Sequence, residues 1–290
     1  MSFSSRVKEE LEVKVPKSRH CQIAELAGIL LFCGKLHKNG EKTEIILGCE
    51  NPKVNAKYFT LLNKTLNIRQ DAQVEGELVD SIIATTKMTS DLSRIDPLII
   101  QQTCCKRAFI TGAFLVAGSI TDPEKSYHFE IVSASEDIAH ILVDALLAFD
   151  LEAKIAKRKD KWIVYLKEGG QIVDALRVMG ASVSVMDIEN VRIVKEMRNS
   201  INRKVNCEAA NIGKTVNAAV RQVNDIEYIR DKVGLDYLPA NLQEIAEIRL
   251  ENPDTSLKDL GALLEPPIGK SGVNHRLRHI SEIADKLREG

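Results

Sequence analysis

Apolar and small positions in the first two thirds of the chain recur as two similar blocks. Residues 24–34 read AELAGILLFCG and residues 108–118 read AFITGAFLVAG, an offset of 84. That offset aligns Ala24 with Ala108, Gly28 with Gly112, Leu31 with Leu115 and Gly34 with Gly118. Downstream, Leu61, Leu62 and Leu66 align with Leu146, Leu147 and Leu151 at an offset of 85, one insertion later. Two glycine pairs and an alanine pair in register mark a duplication. Ala24, Gly28 and Leu31 fall at i, i+4 and i+7, one helix face, and the second copy repeats this. Each glycine costs about 1 kcal/mol of helix propensity against alanine, so a packing reason is expected. Two helices whose backbones approach along that face supply one.

Each copy then reads as helix, strand, helix, strand. Strands are expected near Thr43–Leu47 and His128–Val132, with helices over Pro52–Leu66 and Glu136–Phe149. Later strands are expected at Gln73–Leu78, Ser81–Thr86, Ala153–Arg158 and Trp162–Lys167. The result is an α+β domain over residues 1–191, with repeats at about 20–104 and 105–191. A pseudo-twofold helix pair sits at its centre, with a sheet from each copy beside it.

From about Asn206 the pattern is helical throughout. A helix over about Glu208–Val223 is followed by one starting near Asn241, with Leu242, Ile245, Ile248 or Ala246, and Leu250 as its stripe; Asn252-Pro253 ends it. Ser256-Leu257-Lys258-Asp259 reads as a capping box opening a short helix through Leu264. Residues 265–269 form a turn, and Lys270/Ser271 opens a long helix with Val273, Leu277, Ile280, Ala284 and Leu287 on one face. A short helix, a turn and a long amphipathic helix make the helix-turn-helix pattern, and Gly261 suits a close crossing within it. With Val273, Leu277 and Ile280 inward, Ser271, Asn274, His275 and Arg278 project outward, where they suit base edges and phosphates. Arg276 and His279 are flanking phosphate candidates. His275 and His279 lack a third metal ligand in the sequence and read as solvated polar residues.

Charge sharpens this reading. The 290 residues carry a net charge of −1, so any nucleic-acid affinity must come from a local patch. Residues 192–221 hold seven basic and two acidic side chains, while residues 222–290 are net acidic at −4. The basic segment is expected to be a helical linker between residues 1–191 and a helix-turn-helix domain over 222–290. Within it Arg203, Lys204 and Lys214 are phosphate-contact candidates, joined by Lys270 at the start of the long helix. An exposed charged turn is the preferred reading of the Lys157–Lys161 run, although sheet contact with DNA is the competing one. No apolar run approaches the roughly 18 to 20 residues of a membrane span, and the start leads into a charged stretch rather than a signal peptide. A cytoplasmic, nucleoid-associated protein is expected. The six cysteines include no CxxC pair and no familiar zinc spacing. Cys104-Cys105 reads as two apolar thiols at a helix start. Metal, disulfide and cofactor readings are set aside.

The segments Leu26–Gly34 and Ile110–Gly118 resemble degenerate copies of the LAGLIDADG motif of homing endonucleases. The resemblance implies a duplicated αββαββα domain in which each central helix delivers an acid to a metal site. The acid belongs at the eighth motif position, which here is Cys33 in one copy and Ala117 in the other. Alanine offers Mg²⁺ no ligand and a thiol is a poor one, so catalysis is not expected. A duplicated LAGLIDADG-like domain followed by a helix-turn-helix resembles the WhiA family of bacterial regulators. The more specific stretches are Ala24–Gly34, Asn202–Cys207 with Ala210, Asn211 and Lys214, and Lys270–Leu277. The resemblance implies a non-catalytic transcription regulator that binds double-stranded DNA and serves cell division, chromosome segregation or sporulation. It also implies another transcription or division protein as a partner of the LAGLIDADG-like domain. An active endonuclease and a protein-interaction module without DNA binding are the alternatives.

Overall fold

The paired helices are α2 (Arg19–Cys33) and α5 (Thr103–Ala117), and their glycines face each other's backbone. A Cβ on Gly28 would stand 2.5 Å from the Phe109 carbonyl oxygen, and one on Gly112 would collide with the Glu25 carbonyl oxygen. Glu25 precedes Gly28 by three residues and Phe109 precedes Gly112 by three, so the contact is reciprocal about a pseudo-twofold axis. The computed structural model describes residues 2–39, 42–49, 51–69 and 72–289, which divide into two units, Met1–Glu196 and Met197–Gly290. No helix among the described residues is long and apolar enough to cross a membrane.

In the first unit each central helix ends at a glycine that passes directly into a strand. Gly34 starts β1 (Gly34–Asn39), which pairs antiparallel with β2 (Lys42–Leu47). Gly118 starts β3 (Gly118–Ile120), the edge of a four-stranded antiparallel sheet. That sheet continues through β4 (Phe129–Ser133), β6 (Lys161–Leu166) and β5 (Lys154–Arg158) in spatial order. Strands β1 and β3 escaped the sequence reading, since GKLHKN and GSI show too little apolar content to stand out. The remaining helices are α1 (Phe3–Glu12), α3 (Pro52–Leu66), α4 (Glu77–Thr86), α6 (Glu136–Leu147) and α7 (Gly169–Met179). Asn51 caps α3 ahead of Pro52, and the Ser135 hydroxyl accepts from the Ile138 N–H to cap α6.

The two copies are less alike than expected. Gln73–Leu78, expected as a strand, forms only a bridge to β2 at Glu75 among the described residues before turning at Gly76 into α4, and Ser81–Thr86, also expected as a strand, lies in α4. The β-branched run there suggested a strand. Val79, Ile82 and Thr86 nonetheless face the core at helical spacing, and Glu77 and Asp80 favour the first turn. Among the described residues the first copy therefore keeps a two-stranded sheet where the second has four strands.

A buried ion pair lies beside the central helices. Lys57 Nζ stands 2.5 Å from Glu25 Oε1 and donates to the carbonyls of Leu11 and Lys14. Burial pushes the Glu25 carboxyl above its ordinary pKa, and the Lys57 ammonium works against that.

A long helix, α8 (Ser182–Val233), runs without interruption through the segment expected to contain a separate helix over 208–223. Glu10, from α1, caps its start: the Val183 and Ser184 N–H groups each donate to a carboxylate oxygen at 3.0 Å. In the second unit the last turns of α8 pack with α9 (Ala240–Glu251), α10 (Leu257–Ala262) and α11 (Lys270–Glu289). Ile226, Ile229, Ile245, Leu260, Val273 and Leu277 form the centre of that core.

Candidate nucleic-acid interface

The helix-turn-helix is built from α10 and α11. The Ser256 hydroxyl accepts from the Asp259 N–H and donates to the Asp259 carboxylate, an acidic version of the capping box. Gly261 is buried where any Cβ would strike the Ile268 carbonyl oxygen, and the Ile268 N–H donates back to the Gly261 carbonyl at 2.9 Å. That contact sets the close crossing of the turn against the short helix.

Helix α11 divides into two faces. Val273, Leu277, Ile280 and Ala284 are buried, and Ser271, Asn274, His275, Arg278 and His279 are exposed. Ser271, Asn274 or His275, and Arg278 follow one another at three- or four-residue steps, a single row along the outward face. Arg278 Nε has only a loose approach to Glu282, at 3.7 Å on an exposed surface. Arg276 departs from the expectation that it is free for phosphate. It is half-buried, donates to the Asn241 carbonyl at 3.3 Å and lies 3.8 Å from Glu244, so it ties α11 to α9.

The basic segment sorts in the same way. Within the first unit Arg192 pairs with Glu189 and Lys195 donates to the Pro123 carbonyl over the Tyr127 ring. In the second unit Arg221 pairs with Asp285 at 3.0 Å. Arg288 holds the buried Asp225 at 2.8 Å and stacks on Tyr228, locking the end of α11 to α8. Arg203, Lys204 and Lys214 are exposed, and among the described residues none has an acidic partner. Every residue from 196 to 218 is exposed, so the basic side chains stand out from a solvated helix.

A groove of about 760 Å³ in the second unit brings part of this set together. Lys214 and Gln222 of α8, Lys258 of α10, and Lys270 and Asn274 of α11 line it. Arg203 and Lys204 lie about three turns earlier on α8 and do not reach it. Arg249, buried in α9, lies against the groove, donating to the Thr255 carbonyl at 2.7 Å and to Gln222 at 3.0 Å. Burial lowers its pKa, with Asp254 opposing. Lys258 and Arg249 were missed by the sequence reading. Lys258 carries a usable signal, a lysine two positions inside a helix cap; Arg249 carries none, since a buried arginine in an apolar stripe reads as solvated.

Family models match in three stretches. The WhiA C-terminal HTH domain matches residues 201–284, the WhiA LAGLIDADG-like domain residues 106–198, and the WhiA N-terminal LAGLIDADG-like domain residues 19–77. The chain is 49% identical to a "Probable cell division protein WhiA" of Lachnoclostridium phytofermentans, with both chains covered in full. A protein of the same description from Alkaliphilus oremlandii is 46% identical, covering 100% of this chain and 99% of that one. Among solved structures, full-length DUF199/WhiA from Thermatoga maritima superposes with a TM-score of 0.60 at 26% identity, over 99% of each chain.

Proposed function

The chain belongs to the WhiA family, and we propose on that basis that it is a sequence-specific DNA-binding regulator without nuclease activity. Its target genes are those of cell division, with chromosome segregation or sporulation as further outputs, and it acts in the cytoplasm on the nucleoid. The observation that carries the reading is the exposed row Ser271, Asn274, His275 and Arg278 opposite the buried row of α11. Phosphate contacts from Lys214, Lys258 and Lys270 position the helix, and Asn274 and Arg278 read base edges in the major groove. Arg203 and Lys204 add charge that attracts any duplex.

The absence of catalysis follows from chemistry at the C-terminal ends of α2 and α5. Cys33 is half-buried, and its hydrogen bond with Cys49, together with burial, pushes its thiol pKa far up. A neutral thiol on one helix and Ala117 on the other leave Mg²⁺ without its oxygen ligands.

Binding of Arg278→Ala and Lys204→Ala to a genomically mapped site and to scrambled DNA, across a salt series, tests the reading. Arg278→Ala is expected to lose about 1–3 kcal/mol on the mapped site and much less on scrambled DNA. Lys204→Ala should weaken both alike and flatten the salt slope by about one unit. Parallel loss on both duplexes for Arg278→Ala, or no change, would refute α11 as the reading helix.

A further inference from the structure

The axis that relates Gly28 to Gly112 also superimposes residue 20 on 104 and residue 21 on 105. At the N-terminal ends of α2 and α5 it gathers His20, Cys21, Cys104 and Cys105, whose ligand atoms all lie within 4.8 Å of one another. His20 Nδ1 is 3.2 Å from Cys105 Sγ, 3.4 Å from Cys21 Sγ and 4.0 Å from Cys104 Sγ. A tetrahedral zinc ion with bonds of about 2.3 Å to sulfur and 2.0 Å to nitrogen needs N···S separations of about 3.5 Å and S···S separations of about 3.8 Å. The observed spacings bracket that value.

We propose that His20, Cys21, Cys104 and Cys105 form a structural zinc site that staples the starts of the two central helices across the pseudo-twofold axis. Three thiolates and an imidazole are a soft donor set that suits Zn²⁺ and not Mg²⁺ or Ca²⁺. Four protein ligands leave no open position, which makes the site structural rather than catalytic. On binding, the three thiols release their protons to solvent and no redox partner is needed. The positive ends of two fifteen-residue helices favour the thiolates formed there. In the metal-free protein burial, reinforced by Cys104 and Cys105, raises the Cys21 thiol to about 12. Access is open, since Cys104 and His20 are exposed and Cys21 and Cys104 line a pocket of about 280 Å³. Spacing rules missed the site because two adjacent pairs, 84 residues apart, supply it in place of a CxxC motif.

The test is metal content of the full-length chain, purified under reducing conditions and equilibrated with Zn²⁺, alongside optical spectra with Co²⁺ in its place. One tightly held zinc per chain is expected, with thiolate-to-Co²⁺ charge-transfer bands and the d–d bands of a tetrahedral ion. Cys104 is exposed, so Cys104→Ser should keep its circular dichroism. It should also lose more than the roughly 10- to 100-fold in affinity that removal of a supporting hydrogen bond costs a metal site. Cys207→Ser, an exposed thiol in the second unit, should bind as wild type. Zinc should raise the melting temperature of wild type and of Cys207→Ser but not of Cys104→Ser. Substoichiometric zinc, a Co²⁺ spectrum without thiolate bands, or equal binding by Cys104→Ser would overturn the proposal.

Discussion

A glycine inside a helix costs about 1 kcal/mol against alanine wherever the added methyl meets only solvent. Gly213 of α8 is such a position, with nothing within 4 Å of an added Cβ. Gly28 is the opposite case, because its Cβ would meet a backbone carbonyl that no rotamer change can move. Overpacking of this kind costs about 1–3 kcal/mol and exceeds the propensity gain. Gly213→Ala is therefore expected to strengthen the solvated stretch of α8 locally, by up to about 1 kcal/mol, and Gly28→Ala to lower the urea midpoint of the first unit. Trp162, the single tryptophan, reports the first unit by fluorescence, and circular dichroism follows both. A stabilising Gly28→Ala would mean that the two helix backbones stand further apart than the 2.5 Å approach to the Phe109 carbonyl requires. The sequence already flagged Gly28 and Gly112, because both paid a propensity cost at matching positions. It was silent on Glu25 and Lys57, whose burial as a pair depends on partners 32 residues apart.

At the scale of elements, a helix is set as much by what meets its ends as by its own residues. The first turn of α8 contains no acidic residue, and Glu10 supplies the missing charge from another helix. Burial alone would raise the Glu10 pKa. Hydrogen bonds from Val183 and Ser184, with Lys14 adding a further one, outweigh that and hold it below the ordinary carboxylate range. A depressed pKa contributes stability above the unfolded value of about 4.3, and that contribution fades as pH falls through the folded one. Glu10→Gln should cost about 1–2 kcal/mol at pH 7. The gap to wild type should begin to narrow as pH falls past the unfolded value of about 4.3 and should close only below the folded one. Urea titrations read by Trp162 at several pH values check this, and a gap independent of pH would mean that the charge of Glu10 is irrelevant to the cap. Helix α4 carries the complementary lesson. Its β-branched residues suggested a strand, yet the 3–4 spacing of Val79, Ile82 and Thr86 decided the outcome once a core lay on one side.

For the whole molecule, cooperativity belongs to the two units, and residues 197–218 of α8 carry no burial from either. A solvated helical stretch opens locally at low free energy, and proteases cut through such openings. Limited trypsin digestion should cut first at Arg198, Arg203, Lys204 or Lys214, leaving two resistant fragments that mass spectrometry places on either side. First cuts inside β4 to β6, or uniform resistance, would show that the segment is covered in solution.

The local signals in the sequence determined a great deal. Duplication, the paired glycines, the helices over 52–66 and 240–251, the Ser256 cap and the two faces of α11 all follow from spacing and capping chemistry that act within a few residues. Tertiary structure decided what depends on partners distant in the chain. It turned Arg276 toward Asn241 and Glu244, Arg192 toward Glu189 and Arg221 toward Asp285, and left Arg203, Lys204 and Lys214 exposed. It merged the separate helix expected over about 208–223 into one continuous helix, Ser182–Val233. By folding one copy of the repeat onto the other, it brought His20 and Cys21 against Cys104 and Cys105, 84 residues away. Propensity and periodicity are properties of neighbours in sequence, whereas an ion pair or a ligand cluster exists only between atoms that folding has brought within bonding distance.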